Sequence, residues 1–159
     1  MRMLTLYYSW SGHTKQAAEL IHDTVGGDIA AIETAAAYPG TYSQVASQGH
    51  DEVKRGFEPE LRPLSVRPED YDVLYLGSPV WWYTMTPAVR SFLSRFHGRG
   101  MTVCPFVTNE GGAGSALRDM SGKISGCRTA EGLNIRFSGS RMVTGAETIR
   151  KWALSCREE

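Results

Sequence analysis

The chain has 159 residues, 42% of them hydrophobic and 21% charged, which is one domain's worth of a globular protein able to bury a core. Lys plus Arg and Asp plus Glu balance at 17 each, so composition points to no basic stripe for nucleic acid, and no apolar run approaches the roughly 20 residues that span a bilayer. Cys104, Cys127 and Cys156 are odd in number, widely spaced and without a C-x-x-C pair, and the start carries no signal-peptide pattern; both features read as a cytoplasmic protein with reduced thiols and no metal site.

Met3 to Tyr8 carries no charge and reads as a buried strand. Ser9-Trp10-Ser11-Gly12-His13-Thr14 follows and leads directly into a helical pattern, with Ala17, Leu20, Ile21, Thr24 and Val25 at helical spacing and Gly26-Gly27 as the stop. A strand that ends in hydroxyl-rich sequence and restarts as a helix presents backbone N–H groups and a positive dipole end, which is an anion site. Asp28 to Glu33 reads as a second strand, and a β-α-β unit of this length requires a parallel sheet.

Residues 34–70 break this rhythm. Tyr38-Pro39-Gly40 signals a turn. Thr41 to Arg55 reads as a polar helix with Tyr42, Val45 and Val53 on one face, and Arg62-Pro63 and Arg67-Pro68 punctuate a loop. A connection this long packs over a site more often than it idles, so Tyr42 and His50 are candidates to cover a ligand.

Asp72 to Gly77 is the third strand, followed by a loop over Val80 to Met85 and a helix opened by Thr86-Pro87, an N-cap and a first-turn proline. Met101 to Thr108 is the fourth strand, with Pro105 arguing against an unbroken ladder. Asn109 to Ser115 is a glycine-rich loop before a short helix at 116–120. Ala130 to Ile135 reads as a weaker fifth strand, and Glu147 to Cys156 as the closing helix. The expectation is a single α/β domain over 1–159, with about five parallel strands and helices on both faces.

In such a sheet ligands sit beyond the carboxyl ends of the strands, where the loops after strands one, three and four emerge. One is a phosphate cradle, one aromatic and one glycine-rich, which suits a ligand with a phosphate at one end and a flat ring at the other. Other phosphate-binding designs fail on specific residues. G-x-x-x-x-G-K-[ST] and G-x-G-x-x-G are absent after the first strand, no cysteine lies in the first loop, and Tyr8-Ser9 and Gly77-Ser78 stand where acids would hold Mg²⁺ in a receiver domain. No nucleophile–base constellation is visible.

At these residues the chain resembles the flavodoxin family. Ser9 to Thr14 is similar to that family's FMN-phosphate loop, [ST]-x-[ST]-G-x-T, and the likeness extends through Tyr71-Asp72, Gly77-Ser78-Pro79-Val80-Trp81-Trp82, Phe106-Val107-Thr108 with its glycine loop, and a Trp in the terminal helix. The resemblance implies a flavodoxin-like three-layer α/β sandwich with a five-stranded parallel sheet in the order 2-1-3-4-5, and FMN as cofactor. It implies that Ser9, Ser11, Gly12, His13 and Thr14 hold the phosphate, with Trp10 near the ribityl chain or ring. Pro79, Val80, Trp81, Trp82 and Tyr83 would wall the ring, and Thr108, Asn109, Gly111 and Gly112 would approach its polar edge. Neighbouring residues on a strand face opposite ways, so one of Trp81 and Trp82 is expected on the ring.

The implied role is an electron carrier between a reductase and a redox acceptor, with a redox protein or a small molecule as partner and neither nucleic acid nor membrane. The chain departs from shuttle flavodoxins, which are acidic around the flavin edge: it is neutral, and Arg90, Arg95, Arg99 and Arg118 fall in segments near that edge. That departure leaves room for two alternatives, an FMN-dependent NAD(P)H oxidoreductase acting on a quinone or similar acceptor, and a flavin-free binding module of the same fold. Composition and spacing leave the oligomeric state open.

Overall fold

The computed structural model describes residues 1–38 and 40–158, so Pro39 of the expected turn lies outside the described residues. Five strands form the parallel body of the sheet: β1 (Met3–Tyr7), β2 (Asp28–Ala31), β3 (Val73–Trp81), β5 (Thr102–Asn109) and β7 (Leu133–Ser138). They lie in the order β2-β1-β3-β5-β7, which is the expected 2-1-3-4-5. Three two-residue strands extend the sheet beyond that expectation. β4 (Thr84–Met85) folds back antiparallel on β3, β6 (Arg128–Thr129) pairs with the start of β5, and β8 (Arg141–Met142) returns antiparallel on β7.

Alternation along the strands makes the three layers. Leu4, Leu6, Leu74, Leu76, Val103 and Val107 face a core shared with α3 (Pro87–Arg95) and α4 (Ala116–Lys123). Met3, Tyr7, Val73, Tyr75, Cys104 and Phe106 point the other way, onto α1 (His13–Val25) and α5 (Ala146–Cys156). A sheet covered on both faces needs strands that are apolar on both sides, and every residue of β1 and β5 is buried. The Tyr75 hydroxyl settles its own burial by donating to the Ala153 carbonyl of α5 at 2.6 Å.

Several boundaries differ from the sequence reading for physical reasons. Residues 130–135 are not one strand. The outer partner of β5 changes from β6, opposite Thr102 and Val103, to β7, which starts opposite Phe106. Pro105 sits in that change-over, where its missing N–H costs the outer ladder nothing, so β5 runs through it. The expected loop over Val80–Met85 is a hairpin: β3 continues to Trp81, Trp82 and Tyr83 make the turn, and β4 begins at Thr84.

The polar segment forms α2 (Tyr42–Arg55), closed at its start by a capping box between Thr41 and Gln44. Its buried face is Val45, Gly49 and Glu52, not Tyr42, Val45 and Val53. Tyr42 instead points outward. Arg99 is also placed elsewhere than expected: with Asp72, Met101, Thr102 and Arg128 it lines a second cavity of about 550 Å³ at the amino ends of the strands.

Candidate functional site

A cavity of about 630 Å³ opens at the carboxyl edge of the sheet. The β1–α1 turn supplies Trp10, Ser11 and His13. The β3–β4 hairpin supplies Pro79, Val80, Trp81, Trp82 and Tyr83, and the end of β5 with its glycine loop supplies Thr108, Asn109, Glu110, Gly111 and Gly112. All the sequence-derived candidates line it except Ser9, Gly12 and Thr14.

Those three build the turn itself. Gly12 takes φ 103°, a left-handed conformation that only glycine adopts without strain. Ser9 Oγ accepts the N–H groups of Gly12 and Lys15, each at 3.2 Å, and so caps the first turn of α1 from three residues upstream. Thr14 is fully buried, and its hydroxyl meets that of Thr108 at 2.7 Å, tying the turn to the end of β5. Ser11 and His13 remain facing the cavity. The His13 ring lies flat on Phe137 of β7, with centroids 4.2 Å apart and planes 7° apart.

The aromatic wall is held from two sides. Trp82 (φ 50°) and Tyr83 (φ 71°) adopt the positive φ of a two-residue hairpin turn, where Asn-Gly is usual, at a cost on the order of 1–2 kcal/mol per residue. Surrounding bonds fix this conformation. The Trp82 indole N–H donates to Ala46 O of α2 at 2.9 Å, and its ring stacks on His50 with centroids 4.1 Å apart. Across the hairpin, Tyr83 O accepts the Ser115 N–H at 2.8 Å, and the Thr84 hydroxyl donates to Asp119 Oδ2 at 2.6 Å. Below it, Ser78 Oγ accepts the Thr86 N–H and meets the Thr86 hydroxyl, which in turn caps α3.

Trp81 also packs against α2 and lies edge-on to Tyr8 and Tyr38, at 5.9 and 5.2 Å between centroids, so both tryptophans line the cavity rather than one alone. A Cβ on Gly49 would come within 3.0 Å of the Trp81 ring, so glycine is what lets α2 approach this closely. Behind Trp81 lies the buried carboxylate of Glu52, which accepts from the Tyr38 hydroxyl at 2.5 Å and from Gln48 Nε2 at 2.9 Å. Burial pushes the Tyr38 phenol well above its usual range, and the bond to Glu52 pushes it further. Tyr8 is raised in the same way, by burial and then by the Glu52 charge. Both phenols therefore remain protonated.

On the glycine side, the Asn109 side chain does the holding. Its amide donates to Asn134 Oδ1, and its carbonyl accepts the Gly112 N–H at 2.9 Å. Glu110 is the acidic residue of the lining, and its Oε1 accepts the Gly139 N–H at 2.6 Å.

A family model for flavodoxin matches residues 2–153. The chain belongs to the flavodoxin family. Solved structures agree in fold. A flavoprotein of Lactobacillus acidophilus in complex with FMN is 23% identical, with a TM-score of 0.70, over 85% of this chain and 92% of that one. A Bacteroides uniformis protein provisionally described as a flavoprotein is 24% identical, with a TM-score of 0.80, over 95% and 96%. Oxidised flavodoxin 2 of Bacillus cereus is 17% identical, with a TM-score of 0.61, over 99% of each chain. No curated protein matches this flavodoxin.

One wall of this flavodoxin's cavity lies outside the cofactor residues expected from the family motifs. Tyr42, Val45, Ala46 and Gly49 of α2 line it, and Tyr42 also meets Trp10 at 6.1 Å between centroids. Tyr42 and His50 had been candidates for a cover. Tyr42 reaches the cavity directly, whereas His50 acts through Trp82. The signal available was the spacing Val45–Gly49, a valine and a glycine one helical turn apart in an otherwise polar helix.

Proposed function

We propose that this flavodoxin binds FMN in the carboxyl-edge cavity and passes electrons from a donor, such as a reductase, to a redox acceptor. One observation carries the reading: a single cavity joins the amino-terminal turn of α1 to a wall of aromatic side chains. The residues fit the group. At one end the turn offers backbone N–H groups at a positive helix end, with Ser11 and His13 facing the space. At the other end the Trp81–Tyr83 hairpin and the Thr108–Gly112 loop offer ring faces and backbone groups, and the cavity's size falls in the ordinary range for cofactor sites of about 300–1,000 Å³.

Bound FMN supplies reversible one- and two-electron redox chemistry. The protein's part is to position it and to exclude water. Ser11, His13 and the turn's N–H groups would hold the phosphate, while Ser9 and Thr14, committed to the turn's own bonds, keep those groups in place. The hairpin would flank the ring system, and the Asn109-braced loop would present backbone groups to its polar edge. An apolar, aromatic surround disfavours added negative charge on the ring, which lowers its potential. A cytoplasmic location belongs to the same proposal, resting on the cysteine pattern.

A second reading, direct NAD(P)H-driven reduction of a small acceptor, draws support from the cavity's mouth, which is aromatic and carries little charge. Titrating apoprotein with FMN tests the binding itself. Tryptophan emission should quench in a 1:1 titration, because Trp10, Trp81 and Trp82 line the cavity. A chain that takes up no FMN would overturn both readings. Fast reduction by a flavoprotein reductase, with no steady-state NAD(P)H oxidation in its absence, is the outcome expected of a carrier.

A further inference from the structure

At the amino ends of the strands, the edge of the sheet opposite the cofactor cavity, three arginines from separate parts of the chain line one cavity of about 550 Å³. Arg99 lies in the loop between α3 and β5, Arg128 on β6, and Arg157 at the end of α5. Backbone bonds zip the first two segments together. Gly98 N–H donates to Ser125 O at 2.9 Å, Gly100 N–H to Gly126 O at 2.8 Å, and Arg128 N–H to Met101 O at 2.9 Å. Glycine at 98 permits that approach, because a Cβ there would collide with Cys127 Sγ.

The positive charge is not cancelled from within. Among the described residues, none of the three guanidinium groups forms an ion pair or a hydrogen bond. They outnumber the carboxylates of the lining, Asp72 and Glu158, by three to two, and Asp72 Oδ2 already accepts the Arg2 N–H at 2.7 Å. Arg2 adds a fourth cation at the rim, its guanidinium 4.7 Å above the ring of Tyr71, which also lines the cavity. The dipole of α5 favours a cation at its C-terminal end, which accounts for Arg157 alone; Arg99 and Arg128 belong to no helix. Thr102 is an independent sign. It is 4% exposed and lines the same cavity, yet its hydroxyl has no hydrogen bond within the described residues. Buried hydroxyls are ordinarily partnered, and the space that Thr102 borders is this cavity.

We infer that this cavity is a second anion site, for a ligand carrying a phosphate or pyrophosphate group. A planar guanidinium fork pairs with two phosphate oxygens at once, and several forks around one space match a multiply charged anion better than a single carboxylate. The Thr102 hydroxyl donates to a further oxygen. The bound anion also relieves repulsion among arginines that no carboxylate neutralises. Cofactors of doubly wound sheets collect at the carboxyl edge, so the flavin site does not account for this lining, and the inference does not depend on the FMN reading.

Calorimetric titration with pyrophosphate, with saturating FMN and no divalent cation present, tests this while the α1 turn is filled. A saturable 1:1 heat is expected. Arg99→Ala and Arg128→Ala should each weaken pyrophosphate by about tenfold, the worth of a charge-assisted hydrogen bond. Their thermal midpoints should stay near that of the parent, because both side chains are exposed. Arg128→Lys should lose about threefold, keeping the charge but not the fork, and Thr102→Val about threefold, the worth of a hydroxyl. FMN affinity should not change in any of these variants. Adenosine 5′-diphosphate should also bind and adenosine should not; whichever of the diphosphate and pyrophosphate binds tighter tells a nucleotide from a free phosphate as the source. Absence of a saturable heat, unchanged affinity in both alanine variants, or a heat seen only when FMN is omitted would overturn the inference, the last by placing pyrophosphate at the α1 turn. In a chain that takes up no FMN, the arginine variants alone decide the matter.

Discussion

The two ends of the cavity are built on different plans. At the α1 end, Ser9, Gly12 and Thr14 lie within six residues of one another; the Ser9 bonds that shape the turn run within it, and one long-range tie joins Thr14 to Thr108 of β5. At the aromatic end, the hairpin takes its shape from elements far along the chain: Ala46 and His50 of α2 on one side, Ser115 and Asp119 of α4 on the other. The first end is shaped mainly by its own six residues and braced from outside by the Thr14–Thr108 pair. The second exists only once α2 has docked, so its geometry is a property of packing and should be the easier one to disturb.

The largest expected effect comes from separating α2 from the hairpin. In Gly49→Leu the new side chain would have to displace the Trp81 ring, which already stands 3.0 Å from an ideal Cβ. Overpacking of this kind costs about 3 kcal/mol, the upper part of its usual range, and denaturant unfolding should show the midpoint fall accordingly. FMN affinity should fall as well, through the displaced wall. A loss of stability with FMN affinity intact would mean that the α2 wall is scaffolding only.

Thr14→Val probes the other end. It leaves the buried Thr108 hydroxyl without its 2.7 Å partner, at a cost of about 2 kcal/mol. Replacing both threonines with valine should recover part of that loss, since no buried donor is then left orphaned. FMN affinity should drop in the single variant through a loosened turn. If affinity is unchanged while stability falls, the phosphate is held independently of this pair.

Trp82→Phe is smaller still. It removes the indole N–H that donates to Ala46 O but keeps a ring to stack on His50, so about 1 kcal/mol should be lost. Exchange of the amides in α2 should quicken in this variant, and those of α1 should not change.

The same contrast explains what could be read in advance. Ser9–Thr14 was legible because its chemistry is contiguous, and the layer order was legible because β1, β3 and β5 are apolar on both faces. The hairpin was not, because nothing in Trp82-Tyr83 announces a turn with positive φ; glycine or asparagine would have, and the bonds that impose it come from residues 46 and 115. The buried face of α2 was misread for a related reason. Apolar spacing selected Tyr42 and Val53, whereas the packed positions are occupied by a glycine and by Glu52, whose carboxylate is buried only because Tyr38 and Gln48 satisfy it. Pro105 was tolerated by a change of strand partner that no local signal encodes.

The smallest effect is a pH dependence at the far anchor of the hairpin. Asp119 accepts from the Thr84 and Ser115 hydroxyls through Oδ2. Burial alone would raise its pKa, but the two hydroxyl bonds, with Arg118 and Arg90 nearby, outweigh that and leave it below the usual value of 3.8. The unfolded chain therefore takes up this proton first as the pH falls. The carboxylate's contribution to stability is complete above the unfolded value, declines through the region below 3.8, and is gone once the folded group is protonated too. Because the site is partly open to solvent, the slope should be shallow. Asp119→Asn should flatten this part of the stability–pH curve and leave the rest unchanged, as followed by urea unfolding between pH 3 and pH 6. An identical curve in the variant would mean that the hairpin's far anchor does not depend on the charge of Asp119.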